Sequence, residues 1–128
     1  LEHLDEKALA EALGETARVL KPRGVLLAST PYRENLDANT VVCPDCGKVF
    51  HKVGHVQSFD RTRMTALLVG FGFEVRRIRV TTFIDWRRGG LRNLLKSIVR
   101  LMLARMGEGI ADPHIVVEAI PRRHAARR

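Results

Sequence analysis

The chain is poor in cysteine, and both of its cysteines lie in one Cys-x-x-Cys motif. A secreted protein held together by disulfide bonds carries many more cysteines, so that class is excluded. The sequence also shows no signal-peptide pattern and no apolar run long enough to span a bilayer. We therefore expect a protein of the reducing cytoplasm, with no transmembrane segment.

Acidic residues are also scarce: 14 Asp and Glu stand against 22 Lys and Arg, which gives a net charge of +8. Such a surface favours anionic partners in general, but much of the basic excess lies after Trp86 and forms no continuous stripe. The 128 residues and 45% hydrophobic content suit one ordinary globular domain. No internal repeat or low-complexity segment is present.

Helical and strand-like patterns alternate along the chain, which predicts an α/β fold. The predicted order is helix 5–20, strand 25–29, helix 60–71, strand 73–83, helix 91–106, strand 114–120 and a basic tail over 121–128. "VLLAS", residues 25–29, is apolar throughout and predicts a strand buried on both faces. Residues 32–58 have no periodicity, and an irregular stretch of this length is usually functional or held by a metal.

That irregular stretch contains "VVCPDCGKVFHKVGH", in which Cys43, Cys46, His51 and His55 have the spacing Cys-x2-Cys-x4-His-x3-His. Thiolate and imidazole are the ligands Zn²⁺ prefers, so residues 43–55 predict a closed zinc knuckle that would also stabilise the loop. The alternative is a pair of reduced cysteines in a surface loop, with histidines that pack or cap. A thioredoxin-like redox pair is disfavoured because no helix follows "CPDC".

Four segments together resemble the class I S-adenosylmethionine-dependent methyltransferases, in particular the small-molecule, ubiquinone-biosynthesis-like branch. They are "LEHL", "ARVLKPRGVLLASTP", "GHVQSFD" and "MTALLVGFGFEV". The resemblance implies the C-terminal half of a Rossmann-like sheet, with three strands, about three helices and the last strand antiparallel between the other two. It assigns residues 1–120 to a partial methyltransferase domain that transfers a methyl group to a small-molecule acceptor.

The sequence lacks the first half of the family pattern and differs from the remaining half in one turn. The Gly-rich loop that holds the methionine part of the cofactor, and the acidic residue that binds its ribose, are both absent. Since the chain also starts at Leu1, we expect a fragment that has little or no affinity for the cofactor and is inactive alone. It would need a homo-oligomer or a missing N-terminal half to cover its sheet edge. Arg23 replaces the usual second Gly of "KPGG", and we expect a type I turn there.

The resemblance also implies a set of site residues. Glu2 and His3 correspond to positions beside the reacting methyl group, where His3 is the candidate general base. Ser29, Thr30 and Pro31 follow the next strand and would line the substrate crevice. His55 belongs to that crevice by the family pattern but to the zinc by spacing. The competing interpretation is that Glu2 and His3 only cap the following helix.

Two further interpretations remain open. A zinc knuckle with a basic surface also fits a nucleic-acid-binding or interaction module without catalysis, although no recognition helix separates the cysteines from the histidines. The predicted helix 91–106 has one apolar and one basic face, which suits either peripheral contact with a membrane or an ordinary solvated helix.

Overall fold

Helix α1 (Glu6–Val19) begins at Asp5, whose side chain accepts a hydrogen bond from the Ala8 backbone N–H at 2.8 Å. This is the cap expected of an Asp before an apolar-periodic segment, and it satisfies one of the free N–H groups of the first turn. The predicted first helix is confirmed. The structure, a computed structural model, describes residues 1–82, 95–96, 98–99 and 113–122.

The turn after α1 differs from the expected type I turn. Arg23 has a φ of 71°, and the Gly24 N–H donates to the Lys21 carbonyl at 2.7 Å. A positive φ at the third position of a four-residue turn is the mark of type II, so the type I prediction was wrong. The glycine that the family carries at this position would adopt this conformation without steric cost.

Three strands form the main sheet in the order β1 (Leu26–Pro31), β5 (His114–Pro121) and β4 (Phe73–Thr81). The last strand pairs antiparallel with both neighbours. It therefore lies between two strands that run parallel to each other, which confirms the expected insertion of the final strand.

The core lies on one face of the central strand. Helix α2 (Arg61–Gly70) is capped by Asp60, which accepts from the Arg63 backbone N–H at 2.7 Å. Side chains from both helices meet alternate residues of β5 in one buried cluster: Leu9, Leu13, Phe59, Met64, Leu68, Phe73, Ile115, Val117 and Ala119. Because alternate residues of a strand share a face, this cluster places α1 and α2 on the same side of the sheet.

Strand β1 is less buried than its composition predicts. Leu27 is 65% exposed and Val25, just before the strand, is 58% exposed, so the expectation of burial on both faces was wrong. Among the described strands, β1 pairs with β5 alone. Its second edge and its outer face therefore have no covering element within the described residues.

The stretch predicted to be irregular contains a small hairpin. A 3-10 turn (Asp37–Asn39) leads into β2 (Thr40–Val42), which pairs antiparallel with β3 (Val49–His51). Each of these strands has 3 residues, too few for a period-2 pattern to be recognised. The hairpin ends at His51, and the loop that carries His55 follows directly.

Most of the predicted helix 91–106 lies outside the described residues, as does the tail from residue 123, and their assigned roles stay predictions. Residues 95, 96, 98 and 99 are helical. Within the described part of the chain, no helix has the length and apolarity needed to cross a membrane.

Candidate functional site

Three loop segments meet beside the end of β1. The Val56 backbone N–H donates to the Glu2 carbonyl at 2.8 Å, and the Arg33 N–H donates to the Phe59 carbonyl at 2.8 Å. These bonds join the start of the chain, the segment after β1 and the segment after β3. As a result Glu2, His3, Glu34, His51 and His55 converge, although they are far apart in sequence.

His55 is oriented by Glu34. Its Nδ1 hydrogen-bonds to Glu34 Oε2, and the two side chains are only 11% and 13% exposed. A carboxylate oxygen accepts, so the proton lies on Nδ1 and the lone pair of the ring is on Nε2. Glu34 is itself fixed by Asn39, whose Nδ2 donates to Oε1 at 3.1 Å. The Glu34 carboxylate therefore fixes the orientation of the His55 ring and leaves Nε2 as the nitrogen that can accept a proton.

His51 has a structural role in this cluster. Its Nδ1 accepts from the His55 backbone N–H at 3.1 Å, so the neutral ring carries its proton on Nε2. That buried Nε2 lies 3.3 Å from Glu34 Oε1, without hydrogen-bond geometry. The His51 and His55 rings stack with centroids 4.8 Å apart. His51 thus shapes the loop and supports His55, and neither of its nitrogens offers a free lone pair.

His3 adds a second imidazole. Its Nδ1 lies 3.2 Å from the Gly54 carbonyl oxygen, which can only accept, so the lone pair of His3 is also on Nε2. The His3 ring meets that of His55 edge-on, with centroids 4.6 Å apart. Gly54 has a φ of 79°, which favours glycine at this contact. His3 is exposed, and this side of the cluster is therefore open to a ligand.

Glu2 contributes a carboxylate next to the two imidazoles. Burial acts to raise the pKa of Glu2, but hydrogen bonds from its own backbone N–H, the N-terminal ammonium and Thr30 outweigh this and hold the pKa below its usual value. The ammonium of Leu1 lies 3.0 Å from Glu2 Oε2. Glu2 is therefore ionised near neutral pH.

Two groups in the described part of the chain could hold a metal ion: Glu2, His3 and His55, and Glu34, His51 and His55. In each group the donor atoms lie within 4.8 Å of one another. The first group, which we call the Glu2–His3–His55 group, fits better. Both of its histidines donate Nδ1–H to a protein oxygen and keep Nε2 free, as metal-bound histidines do. In the second group His51 Nδ1 already accepts a backbone hydrogen bond.

The cysteines lie at the other end of the hairpin. The Cys43 N–H donates to the Lys48 carbonyl at 2.8 Å, and the Gly47 N–H donates to the Cys43 carbonyl at 2.9 Å. Hydrogen bonds from the backbone N–H groups of Cys46 and Asp45, and then from the Cys46 side chain, lower the pKa of the Cys43 thiol. The motif thus forms a tight turn with its two sulfurs close together.

The structure does not bring the predicted ligands Cys43, Cys46, His51 and His55 together. His51 pairs with Thr40 at the base of the hairpin, whereas Cys43 follows Val42 at its tip. Three residues of extended strand, about 10 Å of backbone, separate the cysteine turn from His51. Neither cysteine belongs to the two described groups. A metal on the cysteines alone stays a prediction.

The remaining predicted residues, Ser29, Thr30 and Pro31, differ in their exposure to solvent. Thr30 is 1% exposed, whereas Ser29 is exposed and Pro31 ends β1. Sequence reasoning missed Glu34 and Asn39. The available signal was weak: Glu34 is an acidic residue just beyond the end of a predicted strand, where ligand-contacting side chains are common in α/β folds.

No protein-family model matches the chain, and no curated protein matches it in sequence. Among solved structures it is similar to a SAM-dependent methyltransferase from Methanosarcina mazei, with a TM-score of 0.53 and 17% sequence identity. The chain therefore shares its α/β fold with part of that methyltransferase. The similarity covers 92% of this chain and 53% of the archaeal methyltransferase, so the chain spans about half the length of that protein.

Within the methyltransferase fold, the cluster of histidines and carboxylates lies beyond the carboxyl end of β1. Ligands of open α/β sheets bind at that edge. A methyltransferase-like α/β fold was expected from segments that include "LEHL" and "GHVQSFD", and the likeness supports it at that level. The branch of the family and the half-domain interpretation stay predictions.

Proposed function

We propose that this chain is the acceptor-side half of a methyltransferase that transfers the methyl group of S-adenosylmethionine to a hydroxyl oxygen of a small molecule. One observation supports this above all. Two imidazoles, His3 and His55, each keep Nε2 free while Nδ1 is held by a protein oxygen. In a methyltransferase fold, such a pair at the ligand-binding edge is suited to taking a proton from the acceptor.

The chemistry requires an aligned nucleophile and a proton acceptor. The acceptor oxygen attacks the methyl carbon, the carbon–sulfur bond breaks, and S-adenosylhomocysteine leaves with the electron pair of that bond. The hydroxyl proton passes to His55 Nε2, and the Glu34 carboxylate stabilises the imidazolium that forms. His3 contacts the same region and would orient the hydroxyl. Glu34 acts through His55 and is a positioning residue.

The Glu2–His3–His55 group supports a second route to the same reaction. Two imidazoles and one carboxylate form a common donor set for a divalent cation. A bound cation would supply the acidity, because it lowers the pKa of a hydroxyl that binds to it. Since His55 Nε2 cannot both bind a cation and accept a proton, the two routes are mutually exclusive.

The unpaired edge of β1 supports the proposal that this chain is one half of a methyltransferase. Its outer edge pairs with no described strand, and Leu27 and Val25 are exposed beside it. In the methyltransferase fold another parallel strand pairs at this edge. We propose that the cofactor-binding part of the fold joins here, and that this chain alone binds S-adenosylmethionine weakly or not at all.

Calorimetric titration of S-adenosylmethionine tests the division. The cofactor is titrated into this chain and into a form extended upstream by a strand and a Gly-rich loop. We expect binding by the extended form alone, and micromolar binding by the short chain would contradict the proposal.

Methyl transfer is then measured on the complete protein with His55→Asn, with His124→Asn in the basic tail as a matched control. We expect a loss of about 10²-fold or more in kcat for the first substitution and no change for the second. If EDTA leaves the wild-type rate unchanged, the imidazole is the base. If EDTA abolishes the rate and Mg²⁺ or Mn²⁺ restores it, the cation route is correct. An unchanged rate in His55→Asn would refute both routes.

A further inference from the structure

The turn at the tip of the β2–β3 hairpin presents two adjacent thiols to solvent. The Cys43 N–H donates to the Lys48 carbonyl at 2.8 Å and the Gly47 N–H donates to the Cys43 carbonyl at 2.9 Å, so both cysteines lie in one tight turn. Cys46 is exposed and Cys43 is partly exposed, and neither is in a disulfide. Gly47 has a φ of 69°, which allows the chain to reverse tightly after the second cysteine. Two thiols are thus already placed as ligands for one thiophilic metal ion.

The rest of the described chain does not complete this site. A structural zinc ion takes four protein ligands, and the sequence contains only two cysteines. His51 lies at the base of the hairpin, about 10 Å away along the strand, and its Nδ1 accepts the His55 backbone N–H there. His55 and His3 belong to the Glu2–His3–His55 group. Within the described residues, the thiol pair therefore supplies two of the four ligands that such a site needs.

The hairpin that carries the thiols also exposes apolar surface. Val42 and Val49 are paired across the two strands next to the turn and are 63% and 60% exposed. Val41 and Phe50 form the next pair and are 39% and 46% exposed. Successive residues of a strand point to opposite faces, so both faces of this ribbon carry exposed apolar side chains. A partner that approaches the tip would cover part of this surface.

We propose that Cys43 and Cys46 of two copies of this chain bind one zinc ion together and join the copies through their hairpins. Four thiols, two from each copy, lose their protons to solvent as four zinc–sulfur bonds form. A second copy satisfies the coordination number with identical ligands, and the exposed valines beside the turn give the two hairpins an apolar contact. The inference goes beyond the proposed methyl transfer and does not depend on it.

Such a junction would act on the loop of the candidate site. The hairpin ends at His51, which holds the His55 backbone N–H. Zinc at the tip would fix the hairpin that begins this loop. It would do no chemistry on the acceptor, because the thiols lie at the far end of the hairpin.

The test is the zinc content and mass of the reduced full chain, measured by metal analysis and by light scattering after gel filtration. With zinc present, we expect a doubling of the mass and about half an equivalent of zinc per chain. Removal of zinc with a chelator should return the monomer. Cys46→Ser should remain monomeric and lose the zinc, whereas Lys52→Ala, at an exposed position after the hairpin, should behave as the wild type.

Cobalt substitution identifies the ligands. Four thiolates give an intense sulfur-to-cobalt charge-transfer band, and its intensity per cobalt should be about twice that of a site with two thiolates. A monomer that binds one zinc per chain, or a chain that binds no zinc under reducing conditions, would overturn the proposal. So would a dimer that persists in Cys46→Ser. Circular dichroism of each variant in chelator checks that the fold is retained.

Discussion

Replacement of Glu34 by Ala should destabilise the chain by about 3 kcal/mol. The carboxylate accepts hydrogen bonds from His55 Nδ1 and Asn39 Nδ2 and lies beside the His51 Nε2. Its side chain is 13% exposed, so water replaces these partners poorly. A hydrogen bond to a charged group contributes about 1.5–3 kcal/mol, and a buried donor left without an acceptor adds a penalty.

Glu34→Gln should cost less, about 1–2 kcal/mol, because the amide oxygen can replace one of the two carboxylate acceptors but cannot serve both donors. The assay is urea unfolding of this chain at neutral pH. With an m-value of about 2 kcal/mol per M, the midpoint should fall by about 1.5 M for Ala and by about half of that for Gln.

A double-mutant cycle with His55→Ala isolates the pair. The coupling energy should be about 1–2 kcal/mol, because the two side chains are in direct contact. Asn35→Ala, which removes an exposed hydrogen bond to the Ala38 N–H, serves as a nearby control and should change stability by less than about 1 kcal/mol. Additive effects of Glu34→Ala and His55→Ala would refute the assigned pairing, and with it the orientation of His55 Nε2.

Four further predictions concern single positions. Gly54→Ala should destabilise by about 1–2 kcal/mol in urea unfolding, since its φ of 79° strains an L-residue. Arg23→Gly should be neutral or should stabilise the fold by up to about 1 kcal/mol. Glycine removes the steric strain of a side chain at a φ of 71°, but it also increases the conformational entropy of the unfolded chain, which offsets part of the gain. Because the pKa of Glu2 is lower in the fold, its contribution to stability should be lost as pH falls from its ordinary 4.5 downward; Glu2→Gln should flatten that part of a pH-dependent unfolding series. Leu27→Asp, at a 65% exposed position, should leave this chain within about 0.5 kcal/mol of the wild type but destabilise the upstream-extended form, in which a strand would pair along β1; urea unfolding of both forms measures the difference.

The main elements were predictable because local patterns specify them. The spacing of Leu9 and Leu13 behind an Asp cap identifies α1, and alternating apolar residues in β5 identify a half-buried strand. The β2–β3 hairpin was missed because its strands have 3 residues each. The exposure of Leu27 was missed because composition cannot tell a strand with covered faces from an edge strand with an open one.

The cysteine and histidine motif shows that spacing along the sequence does not determine which residues lie close together in the fold. Spacing alone made Cys43, Cys46, His51 and His55 a single zinc set. Strand β3 separates the cysteines at the hairpin tip from His51 at its base, and His55 lies in the loop that follows. Linear spacing could not predict this, because the distance between two residues depends on whether the segment between them is a turn or a paired strand.

The sequence by itself determined the α/β order, the Asp60 cap of α2, the tight turn at the cysteines and the likeness to methyltransferases that the structural comparison supports. Only the tertiary structure decided that Glu34 orients His55 and that His3 reaches the same place. The hydrogen bond between His3 and Gly54 joins residues 51 positions apart. These contacts depend on how the loops close over the end of β1, and no local preference of the chain encodes that closure.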